Sequence, residues 1–70
     1  MLKFEASGVL REEKGKDGRS YWKLDYLGGS VGLSIGRDAQ GQVASGAEVK
    51  VVGSIRSGKT GFYLVAEKIF

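Results

Sequence analysis

The most recognisable spacing for chemistry lies in residues 53–60, Gly53-Ser54-Ile55-Arg56-Ser57-Gly58-Lys59-Thr60. This segment matches the phosphate-binding pattern G-x-x-x-x-G-K-[ST], in which backbone amides and a lysine hold the phosphates of a nucleotide. The pattern works where a helix follows, because the helix N-terminus then faces the phosphates. Here the strongly β-prone Phe62-Tyr63-Leu64-Val65 follows at once. The sequence therefore predicts a glycine-flanked hairpin, with Arg56 and Lys59 in solvent, and no nucleotide hydrolysis.

Aromatic and basic side chains are mixed in the first half of the chain. Single-stranded nucleic acid is bound by aromatic rings that stack on bases, with Lys and Arg along the phosphates. Strand alternation points Tyr21 and Lys23 outward if Leu24 faces the core. Trp22 then packs toward the core, whereas Tyr26 is equally compatible with packing and with base contact. Tyr21 is therefore the leading candidate for stacking.

Composition excludes several classes of function. The 70 residues include no His and no Cys, which removes imidazole acid–base chemistry, cysteine nucleophiles and the common zinc sites. No apolar run is long enough to span a bilayer, and residues 1–6 alternate apolar and charged residues, unlike a signal peptide. We therefore expect a non-enzymatic protein without cofactor, metal or membrane partner, and the cytoplasm is the default location.

The formal net charge is +3. The basic excess lies in residues 11–25 and 49–70, the two regions that are predicted to form hairpins, whereas the stretch between them is slightly acidic. This distribution suits a polyanionic partner, but it is also ordinary for a small soluble domain.

Alternation of apolar and polar residues, with twelve Gly and no Pro, predicts short strands joined by glycine turns. Gly8 indicates a bulge or sharp bend in the first strand, and Asp17-Gly18 indicates a hairpin turn. Residues 37–46 are expected to form a loop with at most a single helical turn. The predicted strands are Leu2 to Glu13, Arg19 to Leu27, Ser30 to Gly36, Ala47 to Arg56 and Thr60 to Phe70.

Alternation in the third and fifth predicted strands assigns particular residues to each face of the sheet. In the third, Val31, Leu33 and Ile35 share one face, and the other face carries only small residues, which would leave an open floor beside Tyr21. The small residues are Ser30, Gly32 and Ser34. In the fifth, the adjacent aromatics at positions 62 and 63 lie on opposite faces, so that one of them is expected in the core.

Five short strands, a bent first strand and an interruption after the third predict an all-β fold. The expected architecture is a single OB-fold domain over residues 1–70, a five-stranded small barrel with little or no helix. An SH3-type barrel is the competing architecture, and the interruption favours the OB-fold. In OB-folds the second and third strands and the adjoining loops bind oligonucleotides or oligosaccharides.

Two segments resemble the filamentous-phage gene-five single-stranded DNA-binding proteins. They are Gly18-Arg19-Ser20-Tyr21, after a basic hairpin, and Ser54-Ile55-Arg56-Ser57-Gly58-Lys59-Thr60-Gly61, within a likeness over residues 11–27 and 46–66. The resemblance implies an OB-fold homodimer that coats single strands cooperatively during phage DNA replication, in the host cytoplasm. It also implies contacts from the basic hairpin with its tyrosine, and from Ile55 beside Arg56, where family members carry an aromatic at the position of Ile55.

The predicted function is therefore single-stranded DNA binding with little sequence preference, by aromatic stacking and electrostatic contacts to the backbone. A protein-interaction β-barrel module and an RNA-binding OB domain are the alternatives, and a homodimer is expected. The predicted nucleic-acid-binding residues are Arg11, Lys14, Lys16, Arg19, Tyr21, Lys23, Tyr26, Ile55, Arg56 and Lys59.

Overall fold

The computed structural model describes residues 2–70 and contains five strands and one short 3-10 helix. Each strand boundary lies within two residues of its predicted position, and the 3-10 helix occupies the predicted interruption. The strands are β1 (Leu2–Lys14), β2 (Ser20–Tyr26), β3 (Gly29–Ile35), β4 (Glu48–Gly58) and β5 (Gly61–Ile69), with the 3-10 helix at Arg37–Gln42.

The strands close into a barrel in the order β1-β2-β3-β5-β4, with β4 paired back onto β1. All neighbouring strands are antiparallel except β3 and β5, which are parallel and pair through Ser34 with Val65 and Ile35 with Ala66. A five-stranded barrel of this kind, with a short helix between β3 and β4, is an OB-fold. The predicted fold class is confirmed.

Strand β1 pairs with both β2 and β4, which is why it is the longest strand. Its first part, Leu2 to Val9, pairs with β4, and the part from Val9 onward pairs with β2. Gly8 lies at this change of partner, and a Cβ at this position would overlap the carbonyl oxygen of Asp25. The ladders show no register shift at Gly8. The glycine therefore permits a close approach of β2 rather than a bulge.

The core is small and lies along the barrel axis. Leu10, Leu24 and Val51 are fully buried, and Ala39 from the 3-10 helix is buried against the same cluster. The predicted inward face of β3 is confirmed, because Leu33 is buried and its two apolar neighbours on that face pack against the core.

The expectation that either Phe62 or Tyr63 belongs to the core is wrong. Phe62 is 76% exposed and Tyr63 is 42% exposed. Among residues 2–70, pairing of β1 with β4 begins at Ile55, and β3 pairs with β5 only at Val65 and Ala66. No third strand from this part of the chain therefore lies beside the β4–β5 hairpin beyond Ile55. Both faces of the hairpin are therefore open to solvent at this end.

The segment that matches the phosphate-binding pattern forms this same hairpin. Residues 53–58 belong to β4, a two-residue turn follows, and β5 begins at Gly61. No helix follows the lysine, in agreement with the prediction of a hairpin. No helix among residues 2–70 is both long and apolar enough to cross a membrane.

Candidate functional site

An open groove of about 480 Å³ lies between the β1–β2 hairpin and the β4–β5 hairpin. It forms where β3 and β5 separate, because these strands are paired at only two residue pairs. Apolar residues on the inner side of the barrel wall are therefore partly accessible from the groove. The lining residues are Tyr21, Trp22, Lys23, Val31, Gly32, Leu33, Ser34, Phe62, Tyr63 and Leu64.

The floor of the groove is the small-residue face that the sequence predicts for β3. Gly32 pairs with Lys23 of β2, and a Cβ at position 32 would have no atom within 4 Å. Ser34 also lines the groove, whereas Ser30, the third member of that face, does not. A flat ligand can therefore approach the backbone of β3 closely.

Aromatic rings stand on both sides of this floor. Tyr21 points outward from β2, as predicted, and is 48% exposed. Phe62 and Tyr63 line the opposite side; sequence reasoning did not include them in the site, because alternation assigned one of them to the core. Their position beside the glycine-flanked turn was the available indication that both could be exposed. Trp22 packs against the core and also reaches the groove.

Tyr21 is held by the turn that precedes it. Its hydroxyl donates a hydrogen bond to Oδ2 of Asp17 at 3.0 Å, and this bond together with the charge of the carboxylate raises the pKa of the phenol. The turn is closed by a hydrogen bond of 2.8 Å from the Gly15 N–H to the Arg19 carbonyl oxygen. Gly18 has a φ of 81°, a backbone conformation that favours glycine. The predicted Asp-Gly turn therefore also orients the ring.

Four charged side chains form a network on the outer face of β1 and β2. Arg11 donates to both carboxylate oxygens of Asp25, at 2.8 and 3.2 Å, and to Glu13 at 2.6 Å. Lys23 lies 3.5 Å from the other oxygen of Glu13. Hydrogen bonds from Arg11 lower the pKa of Asp25 and of Glu13, which favours the ionised form of both carboxyl groups. Two cations of the predicted site are thus already neutralised.

Several cations on the two hairpins have no such partner. Among residues 2–70, no carboxylate oxygen lies within 4.0 Å of Lys14, Lys16 or Lys59. Arg19 makes only a loose ion pair with Asp17, at 3.8 Å. Positive charge available to a ligand therefore flanks the groove on both hairpins and is absent from its floor.

Of the ten predicted site residues, Tyr21 and Lys23 line the groove and the other eight do not. Tyr26 is exposed at the other end of β2. Ile55 is half-buried and is paired with residues of β1 and β5. Arg56 donates to the hydroxyl of Ser54 at 3.2 Å and lies 3.9 Å from Glu67, on the surface formed by β4 and β5.

A second cavity, of about 790 Å³, lies at the far end of β5 beside the 3-10 helix. An ion pair of 2.9 Å between Lys3 and Glu67 lies in its wall, and Phe70 is its single aromatic. Within residues 2–70, no cluster of three or more His, Cys, Asp or Glu side chains could hold a metal ion. Of the two cavities, the groove is the one that combines several rings with unpaired cations at its edges.

Comparison with known proteins identifies the fold. No protein-family model matches the sequence, and no curated protein is similar to it in sequence. Among solved structures, the chain is similar to the second OB-fold domain of replication protein A from Methanococcus maripaludis, with a TM-score of 0.55 and 21% identity. The likeness covers 97% of this chain and 79% of that one. The similarity shows that this protein has the OB-fold.

Proposed function

We propose that this protein is a non-enzymatic OB-fold domain that binds single-stranded DNA with little sequence preference. The observation that carries the proposal is the groove, which has Tyr21 on one side, Phe62 and Tyr63 on the other, and the bare Gly32 in its floor. Exposed rings of this kind stack on bases of any identity, because every base has a π-face. The groove also lies where OB-folds bind oligonucleotides, between the loops that follow β1 and β4.

The charge distribution supports a strand whose bases face the floor and whose phosphates lie at the hairpins. The outer face of β1 and β2 carries paired charges of both signs, whereas no carboxylate within residues 2–70 pairs with Lys14, Lys16 or Lys59. If these three lysines neutralise three phosphates, the logarithm of the binding constant falls with the logarithm of the salt concentration at a slope of about −2. Affinity that does not depend on salt would contradict this mechanism.

The test is a titration with oligo(dT) of about 15 nucleotides, within the site size of one OB-fold, at low and at high salt. Fluorescence of Trp22 in the groove reports binding, and Tyr21→Ala should weaken it without unfolding the domain. Quenching that high salt reverses supports the proposal. The absence of a response at low salt supports a protein-interaction module instead. A parallel titration with oligo(U) distinguishes a DNA-binding from an RNA-binding domain.

Two finer points belong to the same proposal. The similar domain is part of a replication protein, which supports a role in DNA replication. The segments that resemble the gene-five group form the β1–β2 and β4–β5 hairpins beside the groove. This resemblance supports a role in phage DNA replication in particular. A homodimer would add buried surface to a small core. Measurement of the native mass, with and without oligo(dT), tests the homodimer.

A further inference from the structure

We infer that Asp17 is a positioning residue for the Tyr21 ring, an inference that rests on the proposed function. The carboxylate of Asp17 accepts two hydrogen bonds. Its Oδ1 accepts from the backbone N–H of Arg19 at 3.0 Å, and its Oδ2 accepts from the hydroxyl of Tyr21 at 3.0 Å. One side chain thus ties the phenol to the backbone of the turn.

Gly15 provides the space that this arrangement needs. A Cβ at this position would overlap Cε2 of Tyr21, and it would stand 3.1 Å from Oδ1 of Asp17. One edge of the ring therefore lies against the backbone of the hairpin, while its hydroxyl is held by Asp17. The backbone is itself closed by a hydrogen bond of 3.1 Å from the Gly18 N–H to the Gly15 carbonyl oxygen. Tyr21 is half-exposed, yet it is restrained at two points.

This restraint has a consequence for binding. An exposed side chain that is free to change rotamer loses that freedom when a base stacks on it, and the loss weakens binding. A ring that is already oriented avoids most of this cost. Asp17 also brings a negative charge close to Lys16 and Arg19, where phosphates are expected. Removal of the carboxylate therefore has two opposite effects, a loss of ring orientation and a gain in attraction for phosphates.

A comparison of Asp17→Asn with Asp17→Ala separates these effects. Both variants remove the same charge, but the amide of Asn can still accept from the Arg19 N–H through its oxygen and donate from its NH2 group to the Tyr21 hydroxyl oxygen. We expect Asp17→Ala to bind oligo(dT) about three- to tenfold more weakly than Asp17→Asn, the usual range for one hydrogen bond. Equal affinities of the two variants would overturn the inference.

The same pair of variants in a Tyr21→Phe background tests whether Asp17 affects binding through the Tyr21 hydroxyl. Phe keeps the ring but has no hydroxyl, so the difference between Asp17→Asn and Asp17→Ala should shrink to the part that the hydrogen bond to the Arg19 N–H contributes. A difference of undiminished size would mean that Asp17 acts only through the turn backbone at Arg19, which would also overturn the inference.

A measurement without DNA keeps the inference separate from the proposed function. Nuclear Overhauser contacts between the α-protons of Gly15 and the ring of Tyr21 should be present in the wild type and in Asp17→Asn. They should be weaker in Asp17→Ala, and unchanged contacts there would contradict the positioning role. If the wild type shows these contacts but does not bind oligo(dT), the proposed function fails while the positioning of Tyr21 by Asp17 stands.

Discussion

The guanidinium of Arg11 and the carboxylate of Asp25 lie diagonally across the β1–β2 ladder and share two hydrogen bonds, of 2.8 and 3.2 Å. Two parallel N–H···O bonds between these groups combine charge with defined geometry. Arg11 is thereby held along the outer face of the sheet. An anionic ligand that uses Arg11 must compete with Asp25 for it, so this carboxylate limits the positive charge beside the groove.

Substitution of Asp25 by Asn should strengthen binding to oligo(dT). The change leaves Arg11 with Glu13 as its single charged partner among residues 2–70 and makes it more available to a phosphate, so we expect a tighter complex and a salt slope that is steeper by at most about 0.7, the contribution of one phosphate. Titration at several salt concentrations measures both quantities.

Glu5→Gln is the matched control for Asp25→Asn. It removes the same charge, but Glu5 is paired with Lys50 at 2.8 Å on the β1–β4 surface, outside the groove. If both variants gain affinity equally, net charge alone is responsible and the Arg11–Asp25 pair has no specific role.

The same ion pair predicts a pH dependence of stability. Hydrogen bonds from Arg11 lower the pKa of Asp25 in the folded protein, so its stabilising contribution is fully present above the unfolded pKa of about 3.9. It is lost as the pH falls through the lower, folded value. The difference in Tm between the wild type and Asp25→Asn should therefore be largest near neutral pH and should shrink below about pH 4.

Thermal unfolding between pH 7 and pH 2 measures this difference. It should be small and should decrease with added salt, because the pair is exposed to solvent. A difference that stays constant over the whole pH range would show that Asp25 acts through packing and not through its charge.

Much of the fold could be predicted from local sequence patterns. Alternation placed Val31, Leu33 and Ile35 inward on β3, and it placed Tyr21 outward on β2. Alternation could not give the exposure of Phe62, since this depends on where β1 stops pairing with β4, a contact between distant parts of the chain.

The ion pairs on the outer face of β1 and β2 could not be predicted from the residues taken one at a time. Lys23 was predicted as a phosphate contact from its charge and its neighbours, and Arg11 from the resemblance to the gene-five proteins. The β1–β2 register places Arg11 opposite Lys23 and brings Glu13 and Asp25 alongside, so the network follows from the position of the turn rather than from composition. Counting cations therefore overestimated the charge that is available at the groove.

Phe62→Ala should weaken oligo(dT) binding with little effect on stability. Phe62 lines the groove and is 76% exposed, so its ring contributes little to the core and is available for stacking. We expect a loss of about 1–3 kcal/mol, the range measured for one base–aromatic stack. Titration and thermal unfolding of the same variant measure the two effects.

Phe70→Ala is the matched control for Phe62→Ala. Phe70 is 69% exposed and lies outside the groove, so its loss should leave the affinity unchanged. An equal loss of affinity in both variants would indicate a general apolar effect and would remove Phe62 from the site.

Gly32→Val should change stability and affinity in opposite directions. A Cβ at Gly32 meets no atom within 4 Å, and glycine inside a strand is disfavoured by roughly 0.5–1 kcal/mol relative to alanine, so the variant should be at least as stable as the wild type. Its side chain would stand on the floor where a base is expected, so oligo(dT) binding should weaken by about the worth of one stack, roughly 1–3 kcal/mol.

Ser30→Val introduces the same side chain on the exposed face of β3 outside the groove and should bind normally. A Gly32→Val protein that folds and binds like the wild type would mean that bases do not reach this floor.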